Sequence, residues 1–529
     1  MNHSTSLTLI AVLACASTAP SGAAIREAVR IESGLVAGTP GRDAAITVFK
    51  GLPYAAPPLG ELRWRAPQPP VAWQGIRKAD QFGSPCTQRA GSGWKGNEDC
   101  LFLNVWTGAT SSRERRPVIV WSYEGGFTGN DSANPIWDGE GLARKGVIVV
   151  TMNYRADIFG FLASPELTRE SGHNSSGNYG MLDQIAVLQW VKKNIAAFGG
   201  DPDRVTIAGQ SAGGLSTLII VKSPLAQGLF HRAIMESHAR GVRRSLPEAE
   251  KAGQAFIDAH GARSLQELRA LSLEQLTAGA GARGGGGQAV ASAPVIDNYV
   301  VFPTLYDAYA NGVHDVPIIV GQNKDESGAS PHPNVKLDLY RQVIGEKYGA
   351  IAEQYLKLYP ASSDEQAGQA QNESAHDDDR IATFLTAAAG NYRGRNKAFA
   401  YFWTHAPPGP DSDRRGAFHE SEIYYAFDSL DANDRPWTDG DRHIADIMSS
   451  YWANFVTKGN PNGRGLPVWA AADIRSPVVM ELGDHFAAMP VADRARLDLL
   501  LPFYTAHGEF NGWLGAQTSG AARGGGGGQ

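Results

Sequence analysis

Apolar runs alternate with helical patterns along most of the chain. Residues 118–121 (VIVW), 146–153 (GVIVVTMN) and 204–208 (RVTIA) are rich in β-branched side chains and bounded by glycine or polar residues, which predicts buried strands. Between the last two, residues 181–198 repeat apolar positions at helical spacing, and 212–221 predict a second helix after the third strand. Residues 316–320 (VPIIV) and 398–403 (AFAYFW) predict further buried strands. Strand, helix, strand, helix in this order predicts an α/β fold whose large, mostly parallel sheet is covered on both faces. Three segments fall outside that pattern. Residues 278–288 end in a run of glycines and predict a flexible surface loop, the polar, acidic stretch 362–380 predicts an exposed helix or loop, and 518–529 predict a disordered glycine-rich tail.

The sharpest local signal is RVTIAGQSAGG, where Gly209-Gln210-Ser211-Ala212-Gly213 falls between a predicted strand and a predicted helix. A G-x-S-x-G in that setting predicts a nucleophile elbow. The turn is too tight for side chains at 209 and 213, and it lifts the Ser211 hydroxyl above the sheet at a helix N-terminus that favours negative charge. A serine hydroxyl is a weak nucleophile and needs a base, itself oriented by an acid. His419, in GAFHESEIYYAF, has the most telling setting of the later histidines, while His405 ends a strand and reads as structural. Glu326, where the strand IIVGQN opens into a loop, is the candidate acid, and spacing alone leaves its neighbour Asp325 a rival.

Composition narrows the setting. The 529 residues are 43% hydrophobic and 19% charged, with net charge −6 and no long basic run, which argues against nucleic acid or an anionic membrane as partner. Ser6 to Cys15 (SLTLIAVLAC) is an apolar stretch of signal-peptide length followed by small-residue cleavage sites, so residues 1–24 predict a secretory leader and a secreted or periplasmic protein. The stretch is too short to span a bilayer, and Leu13 fits poorly with lipid attachment at Cys15. In an exported protein the even pair Cys86 and Cys100 predicts a disulfide. No cysteine–histidine cluster has metal-ligand spacing, and neither metal nor cofactor is expected.

These residues resemble a family. FKGLPYAAPPLGELRWRAPQP (49–69), NEDCLFLNVW (97–106), NYRADIFGFL (153–162), GNYGMLDQIAVLQWVKKNIAAFGGDP (177–202), LFHRAIMES (229–237), VGQNKDES (320–327) and YWANFVTKGNPNG (451–463) are similar to blocks of the type B carboxylesterases. That group of α/β-hydrolases includes the cholinesterases and the bacterial para-nitrobenzyl esterases. The resemblance implies one hydrolase domain over residues 25–517, with helical insertions above the site, acting on a small-molecule ester as a monomer or weak homodimer. It implies Ser211, Glu326 and His419 as a triad, which favours Glu326 over Asp325. It also implies oxyanion-hole N–H groups from Gly125, Gly126 and Ala212, a supporting Ser237, and the pairing of Cys86 with Cys100.

Two positions depart from the family pattern. Gln210 stands before the nucleophile where relatives have Glu, and in WSYEGGF (121–127) Glu124 stands where relatives have the first of three glycines. A carboxylate about 4 Å from a forming oxyanion would cost roughly 4 kcal/mol at an effective dielectric near 20. Glu124 must therefore point away, pair with a cation, or hold a proton. After Ser237 the chain reads HARGVRR, so His238, Arg240, Arg243 and Arg244 lie where the resemblance implies an acyl pocket. One expectation is that these arginines bind a carboxylate on the acyl group while Glu124 helps to hold them, and the other is a solvated basic helix end. The functional expectation is a serine ester hydrolase of broad aryl or alkyl specificity. A narrower esterase for polycarboxylate esters of the fumonisin type, an amidase or β-lactam-acting enzyme, and a non-catalytic binding or adhesion protein are the alternatives.

Overall fold

A computed structural model describes residues 25–90, 93–238, 241–242, 244–278, 293–303, 315–326, 330–390 and 396–506. The leader with Cys15, residues 279–288, Arg240, Arg243 and the glycine-rich tail lie outside the described residues.

The core is an 11-stranded sheet. Its strands in chain order are β1 (Thr39–Pro40), β2 (Thr47–Pro53), β3 (Phe102–Thr107), β4 (Arg116–Ser122), β5 (Ile148–Met152), β6 (Gly200–Gln210), β7 (Arg232–Glu236), β8 (Ile318–Asn323), β9 (Ala398–Trp403), β10 (Val478–Leu482) and β11 (Ala487–Pro490). Across the sheet they run β11-β10-β9-β8-β7-β6-β4-β5-β3-β2-β1. Strands β4 to β10 are parallel, and antiparallel pairs close both edges. Each strand predicted from an apolar run is one of the parallel strands. That follows from burial on both faces: all five residues of β5 are buried, so its sequence shows no alternation.

Helices α1 (Tyr179–Asn194) and α2 (Ala212–Lys222) flank β6. The helical pattern expected to reach residue 198 tightens after Asn194 into the 3₁₀ turn Ile195–Phe198 and stops at Gly199, whose φ is 81°. The acidic stretch expected to be peripheral is corrected. It opens α3 (Asp364–Gly390), which packs on the sheet and buries Ala367, Ala370, Asp377 and Asp378. The two carboxyls are tolerated there because tyrosines satisfy them: Tyr359 donates to Asp377 at 2.7 Å and Tyr348 to Asp378 at 2.9 Å. Cys86 and Cys100 form the expected disulfide, with Cα atoms 4.9 Å apart. Among the described residues no helix is long and apolar enough to cross a membrane.

Candidate active site

Strand β6 ends at Gln210 and α2 begins at Ala212, so Ser211 alone makes the turn, with φ 55° and ψ −116°. The flanking glycines are steric requirements. A Cβ at Gly213 would lie 1.9 Å from the Ser122 carbonyl oxygen, and one at Gly209 would lie 2.5 Å from the Gly213 carbonyl. Two backbone bonds fix the elbow: Ser211 N–H donates to Glu236 O, and Leu215 N–H to Ser211 O, each at 2.8 Å.

The hydroxyl faces a cavity of about 350 Å³, lined by Gly126, Phe127, Ser211, Ala212, Leu215, Ser237, His238, Gln322, Glu326, Asp379 and His419. A Cβ on Gly126 would meet no atom within 4 Å, so this backbone is open to the cavity. Gly125 lies one residue behind it and is not part of the lining, with its Cα hydrogen turned towards the Gly129 carbonyl, 2.2 Å from where a Cβ would sit.

His419 and Glu326 come from loops that follow β9 and β8. Glu326 Oε2 is hydrogen-bonded to His419 Nδ1, and Glu326 Oε1 accepts from Asn323 N–H at 3.1 Å. Burial opposes the imidazolium, but the bond and charge of Glu326, helped by Glu422 and Glu420, outweigh it and push the His419 pKa up to about 9. Asp325 faces the other way: its Oδ2 accepts from Ala417 N–H at 2.7 Å, and its own N–H donates to Ala417 O at 3.1 Å. His405 is structural as expected, held by Asp484 at 2.7 Å and Asp441 at 2.9 Å.

The two departures lie against this machinery. The amide nitrogen of fully buried Gln210 is 3.4 Å from both ring nitrogens of His419. Glu124 is buried and accepts from Asn130 Nδ2 at 2.9 Å. Burial and the charge of Glu420 push its pKa up to about 8, against the opposing pull of Asn130 and His419. Arg244 is half-buried beside the Ser245–Glu248 cap and is not part of the cavity lining.

Sequence reasoning missed Glu422. It accepts from Asn323 Nδ2 at 2.5 Å and from Ser237 Oγ at 3.3 Å, and Ser237 lines the same cavity as Glu326. Behind it lies Glu236, buried and bonded to Trp452 Nε1 at 2.8 Å. Burial and their mutual repulsion raise the pKa of Glu236, and burial and Glu326 raise that of Glu422. The available signal was a carboxylate inside an otherwise apolar, aromatic segment, EIYYAF.

Comparison with known proteins gives one answer. A profile of the carboxylesterase family matches residues 26–496. The chain is 36% identical over 471 residues to a fumonisin B1 esterase of Sphingopyxis macrogoltabida, covering 85% of each chain. It is 32% identical over 465 residues to a para-nitrobenzyl esterase of Bacillus subtilis (strain 168), covering 82% of this chain and 90% of that one. A solved PNB esterase structure superposes with a TM-score of 0.75 at 29% identity, over 90% of this chain and 100% of the other. The mostly parallel sheet, the elbow at its centre and these likenesses together make the chain a member of the carboxylesterase family with the α/β-hydrolase fold.

Proposed function

We propose that the protein is an exported serine carboxylic-ester hydrolase that works through Ser211, His419 and Glu326. The observation that carries this reading is the shared cavity. Ser211, His419, Ala212 and Gly126 all face it, and the far side of the imidazole is bonded to Glu326. Ser211 Oγ attacks the ester carbonyl while His419 takes its proton. The carbonyl oxygen gains charge against the N–H groups of Gly126 and Ala212, which line the cavity, each such donor lowering the barrier by about 3 kcal/mol. The C–O bond to the alcohol then breaks as His419 returns the proton to the leaving oxygen, leaving an acyl group on Ser211. Water, deprotonated by the same imidazole, releases the acid. Glu326 orients the ring and balances its cation. Below pH 9 the free base is the minor form, so the rate rises with pH. The leader, together with a disulfide between Cys86 and Cys100, supports export.

A second reading concerns esters whose acyl part bears carboxylates. It is favoured by the similarity to a fumonisin B1 esterase and by the arginines of HARGVRR. Comparing a neutral ester with its succinyl counterpart separates the two readings. The test of the mechanism is hydrolysis of p-nitrophenyl butyrate by the wild type and by Ser211→Ala. Loss of about 10⁴-fold or more in kcat is expected. A variant that keeps turning over would remove Ser211 from the chemistry.

A further inference from the structure

Glu124 opens a loop in which φ is 114° at Gly125, 61° at Gly126 and 137° at Gly129, where glycine accepts it freely, and 62° at Phe127, where a side chain does not. Inside it, Thr128 donates to the Gly125 carbonyl from both its N–H (3.0 Å) and its hydroxyl (2.8 Å). The two ends are joined by the bond from Asn130 Nδ2 to Glu124 Oε1. Asn130 is anchored in turn. Its carbonyl accepts from Gln88 Nε2 at 2.7 Å, Gln88 also bonds to the carbonyl of Cys86 at 3.1 Å, and a Cβ on Gly129 would collide with Gln88 at 2.2 Å. The oxyanion loop is thus closed by Glu124 and fastened through Asn130 to the disulfide segment.

The other oxygen, Oε2, is buried with no hydrogen-bond partner among the described residues. Among the described residues, the titratable groups facing Glu124 are His419 and Glu420 from the loop after β9, its neighbour Tyr123, Tyr154 after β5, and Glu236 at the end of β7. A carboxylate there would be buried, half satisfied and set among other carboxyls, and an uncharged acid avoids that cost. The pKa near 8 agrees with the geometry.

Resting on the esterase reading, we propose that Glu124 is a positioning residue that works as a neutral acid: clasped to Asn130 it holds the oxyanion loop closed, and its ionisation switches the site off. Ionisation places a negative charge one residue from the oxyanion donors, against the charge that develops there. It also strengthens the hold on the His419 cation, which starves the reaction of free base.

The test is kcat and KM for p-nitrophenyl butyrate from pH 6 to 10, corrected for spontaneous hydrolysis, in wild type, Glu124→Gln, Glu124→Ala and Asn130→Ala. Wild-type kcat should rise with His419 and then fall on an alkaline limb. In Glu124→Gln the amide oxygen still accepts from Asn130 but cannot ionise, so kcat should climb to a plateau with the alkaline limb gone. Glu124→Ala and Asn130→Ala break the clasp from either side and should lose about tenfold or more in kcat at every pH with little change in KM. Should either alanine variant fail to fold, the other and the glutamine profile still decide. An alkaline limb that survives in Glu124→Gln, or an alanine variant with wild-type kcat, overturns the proposal. Wild-type protein that hydrolyses no ester overturns the esterase reading, and the clasp falls with it.

Discussion

Replacing Asp325 by alanine tests whether the candidate base is held in place by the residue beside the candidate acid. Two hydrogen bonds tie residue 325 to Ala417, two positions before His419, and Asp325 pairs with Phe418 as an isolated bridge. The fit is close: a Cβ on Gly416, whose φ is 59°, would lie 2.1 Å from Asp325 Oδ2. Asp325 therefore fixes the loop that carries His419 against the loop that carries Glu326. Alanine removes the acceptor of the 2.7 Å bond and strands the Ala417 N–H, at a cost of about 1–3 kcal/mol. If that free energy is lost from the aligned loop alone, its equilibrium constant against misaligned forms falls about 5- to 140-fold, which sets the largest loss in kcat, since 1.4 kcal/mol is a factor of ten. Because Asp325 does not line the cavity, KM should hardly move. Asparagine keeps an acceptor oxygen, so Asp325→Asn should stay within about threefold of wild type, well above the alanine variant. Steady-state kcat and KM with p-nitrophenyl butyrate decide. The reasoning fails if Asp325→Ala keeps wild-type kcat, or if asparagine and alanine are equally impaired, because charge rather than the acceptor would then be the cause.

Two further outcomes concern stability. Cys86 and Cys100 are separated by 14 positions, so replacing both by serine frees a loop worth about 3 kcal/mol of unfolded-state entropy. The urea midpoint should fall accordingly, and an unchanged midpoint would show that the bridge adds nothing to a segment already held by its packing. Glu236 keeps its proton in the fold well above the ordinary carboxyl range because burial and Glu422 disfavour its charge. Glu236 then stays protonated in the folded chain after it has ionised in the unfolded chain as pH rises past about 4.5, so its contribution to stability is greatest below that pH and declines towards neutrality. Glu236→Gln, which still accepts from Trp452, should flatten the fall of Tm between pH 5 and 8, and a slope equal to wild type would contradict the assignment.

Much of this architecture was readable because its signals are strong where burial is two-sided. The parallel strands announce themselves as unbroken apolar runs, and Ser211 as a serine between glycines whose Cβ atoms have no room. The edge strands were not readable: β1 has two residues and β11 four, too short to show a period. The acid could not be chosen by spacing, because Asp325 and Glu326 share one loop and only the side-chain direction separates them. The buried face of α3 was hidden because its aspartates are satisfied by tyrosines and arginines far away in sequence, which composition cannot reveal. Glu124 was recognisable as a conflict but not as a clasp, since its partner Asn130 matters only once the loop has folded back.

The charge around His419 gives a reason for the neutral side chain at position 210. Four buried carboxyls, Glu124, Glu236, Glu326 and Glu422, form a cluster with one imidazole, Glu236 lying behind Glu422, and one imidazolium can balance only one of them. Their hydrogen-bond partners show how the charge is shared out. Glu326 is bonded to the ring of His419, whereas the others rest on neutral donors: Asn130 for Glu124, Trp452 for Glu236, and Asn323 with Ser237 for Glu422. All three of those carboxyls are pushed towards the protonated form. A further carboxylate at position 210, where an amide now lies 3.4 Å from both ring nitrogens, would add negative charge to a ring already pushed up to about 9. It would hold the proton more tightly on the proposed base. A neutral residue beside Ser211 keeps the imidazole within reach of deprotonation.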